Sequence, residues 1–268
     1  MNKPTWLPII NLLATVVTIA VNGLANALPI NGQTTGAISD RFVVYFMPAG
    51  YVFSIWGLIY LALIAFTIYQ ILPPQWGDPH LGRIGYLYAA GCAANVLWIL
   101  LWHFNLFVPT LVVMLVLLST LIAIYLRLGI GGMQYIPSRA RPSAAQRWLV
   151  HVPFSIYLGW ITVATIANAT VVLSFLKWSG WGLSGQLWAI IMLLTASAIA
   201  VLVSFSRRDV AYALVIVWAF FGITVKQAGT LVVAVPAVLL ALALIAATVV
   251  VVIRQEGTGA LPPVDSRA

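Results

Sequence analysis

From Met47 to Tyr69 the chain carries no charged residue. A helix needs about 20 apolar residues to cross a hydrocarbon core of about 30 Å, and this run is long enough. It is one of eight such runs, at about residues 6–28, 47–70, 84–104, 109–128, 148–174, 187–205, 210–225 and 230–253. Charged residues make up only 7% of the 268 and hydrophobic ones 63%, whereas roughly a quarter of a soluble domain is charged. Barrel-like alternation is absent, so the fold class is an all-α integral membrane protein with eight spans.

The net charge of +8 does not indicate nucleic-acid binding, because the basic residues sit at the ends of the apolar runs. With eight spans both termini share one face, which holds Lys3, Arg83, Arg127, Arg139, Arg141, Arg147, Arg207, Arg208, Arg254 and Arg267. Arg41, Lys177 and Lys226 fall on the other. Ten of the thirteen cations on one side is a strong inside bias, so both termini are expected in the cytoplasm of a bacterial cell membrane. The loop at 29–45 is then external. The single cysteine, Cys92, excludes an intramolecular disulfide and reads as a small buried packing residue.

The first span is polar for its kind. Asn11, Thr15, Thr18 and Asn22 recur at helical spacing and share one face, which should point at protein. The alternative is a cleaved leader with small residues at Ala25-Asn26-Ala27, but the apolar region is long and Pro8 and the asparagines suit that poorly. Pro48 suits the first turn of the second span. Within that span Tyr51, Ser54, Trp56, Gly57 and Tyr60 are interleaved, and Gly57 beside Trp56 would leave a dent next to a flat ring. Such a helix can wall a cleft for a flat apolar ligand, or can be plain helix packing. The third span carries Tyr88, Asn95, Trp98 and Trp102, and the fifth Tyr157, Trp160, Thr165 and Asn168. At about 1.5 Å per residue, Trp56, Asn95, Trp98, Trp160 and Asn168 fall in the middle and outer membrane, beneath the 29–45 loop. Neither asparagine can face lipid cheaply: each pins helices together or lines a cavity.

Three motifs together resemble the translocator protein family, the tryptophan-rich sensory proteins of bacteria. They are Trp56-Gly57-Leu58-Ile59-Tyr60 after Pro48 and Tyr51, Asn95-Val96-Leu97-Trp98, and Trp160 followed by Thr165 and Asn168. The chain departs from the family pattern in having Tyr51 where a Trp is usual and Pro153 earlier than the family's proline. The resemblance implies a five-helix bundle over residues 1–175. Residues 176–255 would add three transmembrane helices, and 256–268 a disordered tail. It further implies a ligand pocket drawn from Tyr51, Trp56, Tyr60, Asn95, Trp98, Tyr157, Trp160 and Asn168, taking a tetrapyrrole such as porphyrin or a similar flat hydrophobic molecule. The implied function is a membrane ligand-binding sensor or regulator. The alternatives are a transporter of a hydrophobic small molecule or a porphyrin-modifying enzyme.

The residues themselves offer no acid–base pair, nucleophile with a partner, or metal cluster within the membrane. Asp40, Asp78, Asp209, Glu256 and Asp265 all fall in loops or the tail, so catalysis and an ion-coupling site are not expected. His103 and His151, at span ends, are read as interfacial packing, with haem ligation the alternative, and His80 as solvated. No cofactor is required, though the resemblance allows a bound porphyrin or haem. The expected partners are the lipid bilayer and the small ligand, with a homodimer allowed and no nucleic acid.

Overall fold

The computed structural model describes residues 6–132 and 142–257, and every regular element in them is helical. α1 (Leu7–Ala27) leads through a 3-10 turn at Ile30–Gly32 to a short α2 (Thr35–Ser39). A second 3-10 turn, Gly50–Ser54, opens α3 (Ile55–Ile71). α4 (Leu87–His103) and α5 (Phe107–Leu128) form a hairpin; α6 (Ala144–Gln146) runs through a π-helical turn, Arg147–His151, into α7 (Val152–Phe175). α8 (Gly185–Arg207), α9 (Val210–Lys226) and α10 (Leu231–Gly257) follow. Among the described residues six helices, counting the turns that lead into α3 and α7, are long and apolar enough to cross a membrane; α4 and α9, also apolar, are shorter. The protein is an integral membrane protein.

α1 packs on α3 and α4, α4 on α5, α5 on α7, and α7 back on α3, which closes a five-helix ring. The polar stripe of α1 faces inward as its spacing requires: Asn11, Thr15, Thr18 and Asn22 are all buried. Asn11 donates to the Gln70 side chain of α3 at 3.0 Å, and Thr15 meets the Tyr88 hydroxyl of α4 at 2.6 Å. Hydrogen bonds of this kind substitute for the hydrophobic drive that is lacking between helices in lipid.

α9 lies against α7 outside the ring and is itself backed by α8 and α10. The contact is close because small residues make it. A Cβ on Gly159 of α7 would come within 2.9 Å of the Tyr212 carbonyl oxygen, and one on Gly222 of α9 within 2.1 Å of the Val52 side chain. The Gly222 carbonyl in turn accepts the Ala49 backbone N–H at 3.0 Å. At the opposite end of α9, Asp209 caps the helix through the Tyr212 N–H. The same carboxylate accepts the Tyr125 hydroxyl of α5 at 2.8 Å and the Ser155 hydroxyl of α7 at 2.6 Å. Asp209 is a loop residue, as the sequence indicates, but a buried one.

Arg41 bonds Asn105 in the α4–α5 turn, and Lys226 pairs with Asp40, so the 29–45 loop, that turn and the end of α9 share one face. On the other face Arg127 reaches the Arg83 carbonyl at 3.4 Å. Lys3, Arg139, Arg141, Arg267 and the tail beyond 257 lie outside the described residues. Two expectations are corrected. Pro48 does not sit in the first helical turn, because the chain stays extended until the 3-10 turn at Gly50. Gly57 is exposed, with open space where its Cβ would be, so it dents no cleft.

Candidate functional site

The 29–45 segment folds back over one end of the ring as a lid. Thr34 caps α2 by accepting the Ala37 N–H, which starts the helix where the chain must turn. α2 is then clamped to the end of α4. Trp102 donates its indole N–H to the Thr35 carbonyl at 3.3 Å. The fully buried His103 sits between the Ile30 carbonyl at Nδ1 and the Thr35 hydroxyl at Nε2, each 3.1 Å away. Geometry gives Nδ1 the proton, and both ring nitrogens are engaged in holding the lid. His151 is at the far end of α7, where its Nε2 is 3.0 Å from that of His80. That pairing departs from the solvated reading of His80.

Beneath the lid is a cavity of about 40 Å³ walled by four tryptophans: Trp56 of α3, Trp98 and Trp102 of α4, and Trp160 of α7. Phe53, Met47, Pro48, Val163, Ala164 and Ala167 complete an apolar lining, with Thr35, Ser39 and Asn168 as its polar members and no charged side chain among the described residues. Trp56 and Phe53 stand edge-on to Trp160, at ring separations of 6.1 and 5.8 Å. Trp98 and Trp102, one helical turn apart, stack at 5.4 Å.

The polar groups around the cavity are nearly all paired. Trp98 donates to the Asn168 carbonyl oxygen at 3.3 Å, Asn168 donates to the Thr110 hydroxyl at 2.9 Å, and Ser39 contacts the Met47 sulfur. Trp160 is the exception. Its ring is 2% exposed and its indole N–H has no partner among the described residues. A buried N–H left unpaired costs about 1–3 kcal/mol, so such a group calls for an acceptor that the protein does not supply.

Of the residues expected to form a site, Trp56, Trp98, Trp160 and Asn168 are brought together here. Tyr51, Tyr60, Asn95 and Tyr157 are not in the lining. Tyr51 lies in the 3-10 turn, where three residues complete a turn, and it points outward, edge-on to Trp218 of α9 at 5.4 Å. Tyr60 stacks under Trp56. Asn95 spends its amide deeper in the ring: its oxygen accepts from Asn22 of α1 at 2.7 Å and its nitrogen donates to the Tyr157 hydroxyl at 2.9 Å. It pins three helices below the cavity floor.

Trp102, Val163 and Ala164 were open to sequence reasoning, since each stands three or four residues from Trp98 or Trp160, and Ala167 stands seven from Trp160, two turns on. The lid residues Thr35 and Ser39 carried no such signal, because nothing periodic places a loop over a particular helix end.

A family model described as TSPO-like protein matches residues 8–252, from the first turn of α1 into α10. No curated protein and no solved structure matches the chain.

Proposed function

The chain belongs to the TSPO-like protein family, and on that premise we propose that it is a membrane ligand-binding sensor or regulator whose ligand is a tetrapyrrole or a comparably flat, hydrophobic molecule. The observation that carries this reading is the unpaired indole N–H of Trp160 in a cavity walled by tryptophans. Aromatic walls suit a flat apolar body, and one unmet donor suits a ligand with an acceptor atom.

Two features set the terms of binding. A void of about 40 Å³ holds one or two waters, far less than a macrocycle, so binding goes with displacement of the α2 lid and the rings beneath it. The absence of a charged lining side chain puts any ligand carboxylate at the mouth, where Arg41 lies on the lid segment, and not between the tryptophans.

In the same reading the eight long helices are eight spans, α4 and α9 at the short end of what crosses a bilayer, with both termini cytoplasmic by the distribution of cations. The ring and the α8–α10 annex are its two parts, and a homodimer is compatible with the lipid-facing surface of either. A carrier role finds less support, because Asp209, a buried acid, is already saturated by two hydroxyls and a backbone N–H.

Titrating the purified protein with protoporphyrin while following tryptophan fluorescence tests the proposal. Saturable quenching that weakens in Trp160→Ala is the expected result. Quenching that rises linearly without saturation, or that is the same in wild type and Trp160→Ala, would overturn it.

A further inference from the structure

The chain between α1 and α3 covers the tryptophan cavity, and two different parts of the molecule hold its two halves. Residues 30–41 are fastened mainly to the ring. Asn31 donates to the His103 carbonyl at 3.1 Å, next to the bonds that His103 and Trp102 make to Ile30 and Thr35, and Arg41 bonds Asn105. Residues 45–52 are fastened to α8 and α9. The Tyr45 hydroxyl accepts from the Gln186 amide of α8 at 3.0 Å, and the Tyr45 carbonyl accepts from the amide of Gln227, just past α9, at 3.2 Å. The Ala49 N–H reaches the Gly222 carbonyl at 3.0 Å, and the Val52 carbonyl accepts the Trp218 indole N–H at 3.2 Å. Among the described residues no hydrogen bond runs from 45–52 to α1, α4, α5 or α7.

Packing follows the same division. A Cβ on Gly185, in the first turn of α8, would come within 3.1 Å of the Tyr45 ring, and one on Gly222 within 3.0 Å of the Pro48 side chain. Met47 and Pro48 also line the cavity. Pro48 therefore has the ligand space on one flank and α9 on the other. The Ser39 hydroxyl, from the ring-held half, touches the Met47 sulfur at 3.1 Å and joins the two halves at the cavity edge.

A void of about 40 Å³ has to enlarge before it takes any ligand, so one wall must move. The ring-held half is the costlier one to shift, because His103 is fully buried and engaged at both nitrogens. The Tyr45 bonds to Gln186 and Gln227 are only partly buried, and the Lys226–Asp40 bridge is exposed. Groups in such positions exchange a protein partner for water at small net cost. We propose that α8 and α9 act as a latch on the site: their grip on residues 45–52 keeps the cavity shut, and its release admits the ligand. This rests on the tryptophan cavity being the ligand site. An open form that is only fractionally populated lowers the apparent affinity by that fraction, so weakening the latch strengthens binding. By reciprocity, an occupied cavity loosens the grip of α8 and α9, which gives the helices beyond the ring a part in sensing.

Opening can be read without any ligand. In the full chain in nanodiscs, Ser39→Cys puts a thiol in the cavity wall, and its labelling by a small water-soluble maleimide reports release of the lid; wild type, whose Cys92 is buried, gives the baseline. In this background Tyr45→Phe deletes one oxygen and with it the Gln186 bond, and Gln186→Ala removes the same bond from the other side. Each should speed labelling roughly threefold, as loss of one partly buried hydrogen bond does, and the two together no more than either alone. Gln227→Ala, which frees the Tyr45 carbonyl, should add to them. Protoporphyrin association, followed by tryptophan quenching, should quicken in the same order. Labelling that none of the variants changes, or effects of Tyr45→Phe and Gln186→Ala that simply multiply, would overturn the latch. So would protoporphyrin binding saturably at a rate indifferent to variants that speed labelling. If labelling responds as expected and protoporphyrin shows no saturable quenching, the latch stands and the ligand class proposed above falls.

Discussion

Asn22 donates from its amide nitrogen to the amide oxygen of Asn95 at 2.7 Å, and Asn95 passes the chain on to the Tyr157 hydroxyl at 2.9 Å. Three helices of the ring, α1, α4 and α7, are thereby joined at one buried point. Replacing Asn95 by Leu removes both bonds and strands the Tyr157 hydroxyl in the apolar interior, while Asn22 keeps its bond to the Thr18 carbonyl. Thermal unfolding in detergent should show a loss of about 1–3 kcal/mol. Protoporphyrin affinity should be unchanged, since Asn95 is not in the cavity lining. A variant that keeps wild-type stability but binds porphyrin less well would return Asn95 to the site.

That contrast marks how far the sequence could be read. The amphipathic stripe of α1, the order of the apolar runs and the pairing of Trp160 with Asn168 on one face all follow from helical spacing, a local property. What spacing cannot supply is rotation at a change of helix type. Tyr51 and Trp56 look like neighbours on one helix, but the 3-10 turn from Gly50 to Ser54 sends the first outward to Trp218 and leaves the second in the cavity wall. Nor can it choose between the two uses of a membrane asparagine. Asn168 and Asn95 read alike, yet one lines the cavity and the other ties helices below it. The lid depended on non-local contacts from His103 and Trp102, which no motif announced.

Gly222 is the point at which the annex meets the ring. A side chain there would run into Val52 at 2.1 Å and the Pro48 Cβ at 3.0 Å. Gly222→Val should push α9 off the 48–52 segment, at a cost of about 1–3 kcal/mol. Limited proteolysis should then cut between α7 and α8 faster than in wild type. Unaltered proteolysis would mean that this contact does not hold the annex in place.

Asp209 secures the opposite end of α9. Asp209→Ala leaves the Tyr125 and Ser155 hydroxyls and the Tyr212 N–H without their common acceptor. The expected loss is about 2–4 kcal/mol in detergent unfolding, combining a missing cap with stranded buried donors. Ser155→Ala removes only one of these bonds and should cost roughly 1 kcal/mol. If the two variants unfold alike, the carboxylate is not the joint that its three bonds describe.

Trp160→Phe separates a recognition role from a packing role. The substitution keeps an aromatic ring edge-on to Trp56 but deletes the unpaired N–H. Loss of the second ring costs about 1–2 kcal/mol of packing, while removal of an unsatisfied buried donor gives back about 1–3 kcal/mol. The two nearly cancel, so the ligand-free protein should unfold within about 1 kcal/mol of wild type. Binding has no such compensation. A ligand that accepts this hydrogen bond should bind roughly two- to tenfold more weakly, the equivalent of about 0.5–1.5 kcal/mol. Detergent unfolding and protoporphyrin titration on the same preparation read both quantities. A purely structural tryptophan would leave the affinity unmoved in this variant.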